Sequence, residues 1–261
     1  LSAAICARIE SVKPAGKAGW IHRLTDDGWR ATRSRTIAFG VTVPQAGAPD
    51  LAKLAAQYVA RVNAHYLSQF AAGLSLSVES LRRLRVGWAS DKWSWSFPMT
   101  DAAGNVKGIR LRASNGRKWS VAGGHEGLFV PSDLFTRHPL LLICEGPTDC
   151  AALLDLGFAA VGRPSCTGGV ALLVDFVKRR QPVEAIIVAD GDPPGKRGAQ
   201  SLATVLGAYC AAIRIITPPC GIKDARAWKQ SGATAADVHF AIDAAPLRRF
   251  KITTKLREAQ Q

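Results

Sequence analysis

Two uninterrupted apolar runs, Leu141-Leu142-Ile143-Cys144 and Ala185-Ile186-Ile187-Val188-Ala189, stand out from the polar background. Short apolar runs rich in branched side chains predict strands buried on both faces, the pattern of a parallel sheet. Around them, helical spacing alternates with further short runs. The pattern predicts a helix from Thr148 to Leu156 that stops at Gly157, a strand over Phe158–Val161 and a helix over Val170–Arg179. A helix opened by Gly195 and Gly198 and running through Cys210 follows, then a strand over Ile213–Ile216. This alternation over residues 140–245 predicts an α/β fold with a mostly parallel four-stranded sheet flanked by helices.

The N-terminal part reads differently. Leu1 to Val12 predicts a short helix before Pro14, and Trp20 to Phe39 predicts short strands around the turn Asp26-Asp27-Gly28. Gly40 to Pro49 is a loop. Asp50 stands at an N-cap position, and Leu51, Leu54, Ala55, Tyr58, Val59, Val62 and Tyr66 recur at helical spacing through about Phe70. A second helix covers Val78 to Leu84, capped by Ser77, with Arg82, Arg83 and Arg85 near its end, where positive charge suits the helix dipole. From Val86 to Val130 the pattern changes to short strands carrying Trp88, Trp93, Trp95 and Phe97, with a hairpin turn at Asp101 to Asn105. The hairpin puts Arg110 and Arg112 on one face, because residues two apart in a strand point the same way, and Arg117 and Lys118 follow beside Trp119. Residues 1–139 therefore predict a smaller mixed α+β subdomain, 140–245 an α/β domain, and 246–261 a basic tail that is a helix, a linker or a solvated end.

Charge sharpens this division. Residues 1–140 carry 19 basic against 9 acidic side chains, 141–245 carry 10 of each, and 246–261 carry 5 against 1, which together give the net +14 of the chain. Two basic segments flanking a neutral one point to a polyanionic partner, with nucleic acid ahead of membrane because no basic amphipathic helix with a bulky apolar face stands out. A solvated basic strand face over a tryptophan core is the plainer alternative. No apolar run reaches the length of a membrane span, and Arg8 and Glu10 break any signal-peptide pattern. The six scattered cysteines lack Cys-x-x-Cys pairs and read as small, reduced core residues, as in a cytoplasmic protein. The first residue is Leu, so a removed N-terminal piece is expected.

Candidate chemistry lies at the ends of the two apolar strands. The first runs into Glu145-Gly146-Pro147-Thr148-Asp149 and the second into Asp190-Gly191-Asp192-Pro193-Pro194-Gly195. Ligands of open α/β sheets bind at strand C-termini, so adjacent parallel strands bring Glu145, Asp190 and Asp192 to one edge. Three carboxylates there repel one another unless a cation lies between them, and hard oxygen ligands suit Mg²⁺ or Mn²⁺. Ordinary strands ending in solvated acidic loops are the alternative. The positive N-terminus of the helix after Asp192, with Lys196 and Arg197, faces this edge as a phosphate receptor, although no P-loop motif occurs.

A strand ending in Glu-Gly-x-x-Asp followed by one ending in Asp-x-Asp-x-x-Gly resembles the Toprim signature of primases, topoisomerases and certain nucleases. Before it, Gly73-Leu74-Ser75 with Val78 to Gly87 behind it, Phe97 to Arg112, Gly116-Arg117-Lys118-Trp119 and Gly127-Leu128-Phe129 look like the basic subdomain of bacterial and phage-type primases. The resemblance spans roughly residues 65–232 and departs at Ala72-Gly73, where the family often has Arg before the Gly. It implies a Toprim-type primase catalytic core, of mobile-element-like type, in which Arg112 and Lys118, with Arg110, grip the template or a nucleoside triphosphate. Gly221-Ile222-Lys223-Asp224 resembles the Lys-Asp that closes the Toprim site, making Asp224 a fourth carboxylate; it fits equally well as the cap of the helix carrying Trp228. The zinc ribbon usual in the family is lacking, Cys6 being the only early cysteine, so a missing segment or a partner would supply it. A replicative helicase would act in trans.

The implied activity is primer synthesis on single-stranded DNA: a 3′-hydroxyl attacks the α-phosphorus of a nucleoside triphosphate and pyrophosphate leaves. Asp190, Asp192 and Asp224 would hold the metal, while Glu145 orients the cluster or accepts a proton. A Toprim nuclease would use the same carboxylates on water, and a non-catalytic nucleic-acid-binding replication accessory is a third reading. A topoisomerase is disfavoured because Tyr58, Tyr66 and Tyr209 all fall in predicted helices.

Overall fold

The computed structural model describes residues 49–134 and 138–249, with Ser2–Cys6, Val12, Pro14 and Trp20–Leu24 before them. The chain divides into two compact units, Leu1–Ala46 and Gly47–Gln261. In the first, β1 (Ser2–Cys6) pairs antiparallel with β2 (Trp20–Leu24) from Ser2↔Leu24 to Cys6↔Trp20. The helix expected over Leu1–Val12 is thus a strand where it is described. So short an apolar run carries no decisive periodicity, and pairing with an aromatic and β-branched segment overrides local preference. The strands expected between Thr25 and Phe39 lie outside the described residues.

In the second unit, α1 (Leu51–Ala60) begins at Asp50, whose Oδ1 accepts from Lys53 N at 3.0 Å. The single helix expected through Phe70 is two. Asn63 accepts from the His65 and Tyr66 N–H groups and starts α2 (Ala64–Leu74). The break changes the buried face: Ala55 and Tyr58 enter one core cluster, Leu67, Ala71 and Leu74 another, and Tyr66 points to solvent. Ser77 caps α3 (Val78–Arg83), as the sequence predicts.

Strands β3 (Gly87–Ala89), β4 (Ser94–Thr100), β5 (Val106–Ala113) and β6 (Lys118–Ser120) form an antiparallel sheet in that order. The β4–β5 turn is fixed by Asp101, whose Oδ1 accepts from Ala103 and Asn105 N–H groups at 2.9 and 3.0 Å. Its two faces separate cleanly: Ile109, Leu111 and Trp119 pack with α1, while Trp95 and Phe97 join the core under α2 and α3.

The α/β half runs β7 (Leu140–Glu145), α4 (Gly146–Asp155), β8 (Ala160–Arg163), α5 (Val170–Arg180), β9 (Glu184–Val188), α6 (Pro193–Leu206), β10 (Ala212–Ile216), α7 (Ala225–Gln230) and α8 (Ala235–Ala244). All four strands are parallel, in order β10-β9-β7-β8. Successive residues alternate between two core clusters, Leu141, Ile143, Ala185 and Ile187 on one side and Leu142, Cys144, Ile186 and Val188 on the other. Burial on both faces is why these strands read as continuous apolar runs. The tail begins as a strand-like bridge, Arg248 and Ile213 exchanging backbone hydrogen bonds of 3.0 and 2.8 Å at the β10 edge, and the expected helix or linker beyond Arg249 lies outside the described residues.

One joint fixes the antiparallel sheet against the parallel one, and another fixes α3 against α4 and α7. Leu128 exchanges two 2.8 Å hydrogen bonds with Thr100 at the end of β4, and its neighbour Phe129 exchanges bonds of 2.8 and 3.0 Å with Gly162 in β8. On the other side, Asp155 at the end of α4 accepts from Ser77 N at 2.8 Å and pairs with Lys229 of α7 at 3.1 Å. The basic hairpin is held beside the C-terminal edge of the parallel sheet by backbone bonds, which leave little freedom to slide.

Candidate active site

Glu145 closes β7 and lies directly across from Arg163, the last residue of β8. Arg163 is 2% exposed, and its Nη2 stands 3.4 Å from Glu145 Oε1. Burial pushes the Glu145 carboxyl above its ordinary range, with Arg163 opposing and Asp192 adding to the rise. Asp190 follows the neighbouring strand β9. Its carboxyl is raised to about 6, first by burial and then by the charges of Glu145, Asp224 and Asp192, against which Lys223 pulls the other way. Glu145, Asp190, Asp192 and Asp224 thus feel one another across one sheet edge, as the strand order requires.

Three of the acidic groups are tied to helix starts. Asp192 caps α6, its Oδ1 accepting from Gly195 N at 2.8 Å, so this helix starts at Pro193, ahead of the expected Gly195. Asp224 caps α7 through Ala227 N at 2.7 Å. It is both the cap and a carboxylate of the edge, since its charge also raises Asp190 and Asp149. The loops carrying Asp190–Asp192 and Lys223–Asp224 are joined by Gly191 N donating to Lys223 O at 2.7 Å. Asp149, in the first turn of α4, accepts from Arg226 N at 3.0 Å and is raised to about 8 by burial and then by Asp224.

The cations come from the neighbouring sheet. Arg112 lies opposite Lys118, and Arg110 opposite Ser120. Arg110, Arg112 and Lys118 line a narrow cleft of about 50 Å³ together with Phe97, Phe129, Pro164 and the α4 start Gly146-Pro147-Thr148. Arg112 is pushed below the usual range by partial burial and by Arg226, with Asp149 opposing. Lys118 keeps solvent access, yet it too is lowered, first by partial burial and then by Arg112, with Lys223 and Arg110 adding. Cations crowd the cleft and carboxylates the adjoining sheet edge, with Asp149 acting on both Arg112 and Lys118. Lys223 bridges them, acting on Glu145 and Asp190 as well as on Lys118. Lys196 stands apart, in a groove of about 510 Å³ with Asp192, Cys220 and Lys223.

Among the described residues, no three His, Cys, Asp or Glu side chains are gathered so as to hold a metal ion as they stand. The donor set nevertheless fits Mg²⁺ or Mn²⁺: oxygen ligands only, mutually repelling, with a raised proton affinity at Glu145 and Asp190 that a divalent cation would relieve. Mg²⁺ is commonly bound by one or two carboxylates completed by water and substrate phosphates, so a preformed cage is not required.

Sequence reasoning missed three participants. Asp149 carried a signal, ending the Glu145 motif one helical turn on. Arg163 carried none, because the strand was expected to stop at Val161. Arg226 acts through its backbone N–H, which no side-chain pattern reveals.

No family model and no curated protein matches the sequence. Solved structures do. The chain superposes on a DnaG primase catalytic domain bound to single-stranded DNA with a TM-score of 0.61 at 16% identity, covering 75% of this chain and 77% of that one. For the Escherichia coli primase catalytic core the score is 0.58 at 17%, covering 75% and 79%. The primase fragment of the bacteriophage T7 primase-helicase gives 0.53 at 18%, covering 66% and 72%. The fold is that of the Toprim-type primase catalytic core. Among the described residues, no helix is long and apolar enough to cross a membrane.

Proposed function

We propose that this chain is the catalytic core of a DNA primase, a nucleotidyltransferase that joins nucleotides into short primers on single-stranded DNA. The observation that carries the reading is a carboxylate-rich sheet edge adjoining a cleft lined by cations. Asp190 is raised to about 6 beside Glu145, Asp192 and Asp224, and Gly146, next to Glu145, lines the cleft of Arg110, Arg112 and Lys118. A triphosphate needs cations, and carboxylates that repel one another need the divalent ion that accompanies it.

In this reading Asp190, Asp192, Asp224 and Glu145 hold Mg²⁺ or Mn²⁺. When bound, the ion neutralises the triphosphate and lowers the pKa of the attacking 3′-hydroxyl. Arg112, Lys118 and Arg110 grip phosphates of the template or the incoming nucleotide, which positions the strand without reading its sequence. Lys223 balances the carboxylates, and Lys196 serves phosphates in the groove it shares with Asp192 and Lys223. Arg163 fixes one Glu145 oxygen. The tether on Asp192 and that on Asp224 each engage one carboxylate oxygen, so the helix caps orient these groups for a ligand. Cytoplasmic location and a helicase acting in trans belong to the same proposal.

The test is incubation of the chain with single-stranded DNA, all nucleotides and Mg²⁺ or Mn²⁺. New oligomers complementary to the template are expected. Degradation of the DNA without added nucleotides would instead establish the nuclease that the same carboxylates also suit.

A further inference from the structure

Trp93 is 79% exposed and adopts a left-handed backbone conformation, φ 48° and ψ 48°. It closes the 3-10 turn Ser90–Lys92 as its C-cap, a place where left-handed backbone is common although a bulky side chain rarely takes it. The ring meets Trp88 edge to face at 6.3 Å, Trp88 meets Trp95 at 5.1 Å, and Trp95 stacks on Phe70 at 4.5 Å. The cross-strand register then carries this aromatic line into the cations: Trp88 is opposite Trp95, Trp95 opposite Arg112, and Arg112 opposite Lys118. Directly opposed residues share a face, so one row across four strands joins indoles to cations over roughly 14 Å at the usual strand spacing; Trp95 within it is buried beneath Phe70, which leaves Trp93 open to solvent at one end and Lys118 at the other.

We propose that Trp93, supported by Trp88, is a stacking anchor for a base of the single-stranded DNA whose phosphates lie on Arg112 and Lys118. The proposal rests on the reading of the cleft as a nucleic-acid site and adds a second, uncharged contact at the far end of the row. An indole face accepts any base, and this suits a strand that must slide through. The cations of the row make the partner a polyanion; an exposed tryptophan serving a protein partner would not need them in register.

The test is anisotropy of a fluorescein-labelled oligothymidine with the full chain across a salt titration. Trp93→Ala is expected to weaken binding roughly fivefold to a hundredfold, the range for removing one base stack, while leaving the salt slope unchanged because every phosphate contact remains. Trp93→Phe keeps most of the affinity and Trp93→Leu behaves like Ala. Trp93→Gly, which suits the left-handed backbone, loses affinity without lowering Tm, an outcome that a merely structural tryptophan would not give. Unchanged affinity of Trp93→Ala, while Arg112→Glu with Lys118→Glu weakens binding, overturns the anchor, leaves the nucleic-acid cleft standing and turns Trp93 over to a protein contact. A parent chain that binds no oligothymidine overturns both.

Discussion

Asp149 holds its proton far above the ordinary aspartate range because the fold buries it beside Asp224 and Asp190 and offers it one backbone N–H. The folded pKa of about 8 lies above the unfolded value, so the folded state binds more protons and stability is lost as pH rises from about 4 to about 8. Asp149→Asn keeps an acceptor for Arg226 N and has no charge to desolvate. In EDTA its stability advantage over the parent, read as a higher Tm, is expected to grow from about pH 5 to about pH 8, reaching on the order of a few kcal/mol at the upper end. Thermal melts of both proteins across that range check this, and a pH-independent difference would show that Asp149 is ionised throughout. The sequence showed where this carboxylate lies but not how deep. Burial depends on α7 packing over α4, a contact between segments some 75 residues apart that no local pattern encodes.

At the scale of elements, the site depends on how closely α4 approaches β8. A Cβ on Gly162 would collide with the carbonyl group of Gly146, the residue after Glu145. Gly162→Ala is therefore expected to destabilise by roughly 1–3 kcal/mol, read as a lower denaturant midpoint, and to reduce activity more than the stability loss explains because Glu145 shifts with the turn. The basic hairpin gives the complementary prediction. Arg112→Glu with Lys118→Glu should weaken single-stranded DNA binding and flatten its salt dependence by roughly 0.7 in slope for each phosphate that is no longer neutralised. An unchanged slope would mean that these charges are a solvated face. The hairpin, its turn and its basic face were legible because period-two alternation and turn chemistry are local. The break between α1 and α2 was not, since Asn63 caps a helix only once the chain has two different cores to serve.

For the whole molecule, the parallel sheet was legible in advance because strands buried on both faces read as apolar runs, and strand order then dictated which carboxylates meet. The distances between them were not, being set by helix caps and loop pairing. The central claim is that these carboxylates carry metal-dependent nucleotidyl transfer. Asp192→Asn retains an oxygen to cap α6, and Asp190→Asn removes a charge that the fold already disfavours, so the double variant should fold. The decisive measurement is primer synthesis by the Asp190→Asn, Asp192→Asn chain on single-stranded DNA with nucleotides and Mg²⁺ or Mn²⁺, with oligonucleotide binding measured in parallel. Loss of synthesis with DNA binding retained is predicted; synthesis at the parent's rate would contradict the assignment of catalysis to this edge.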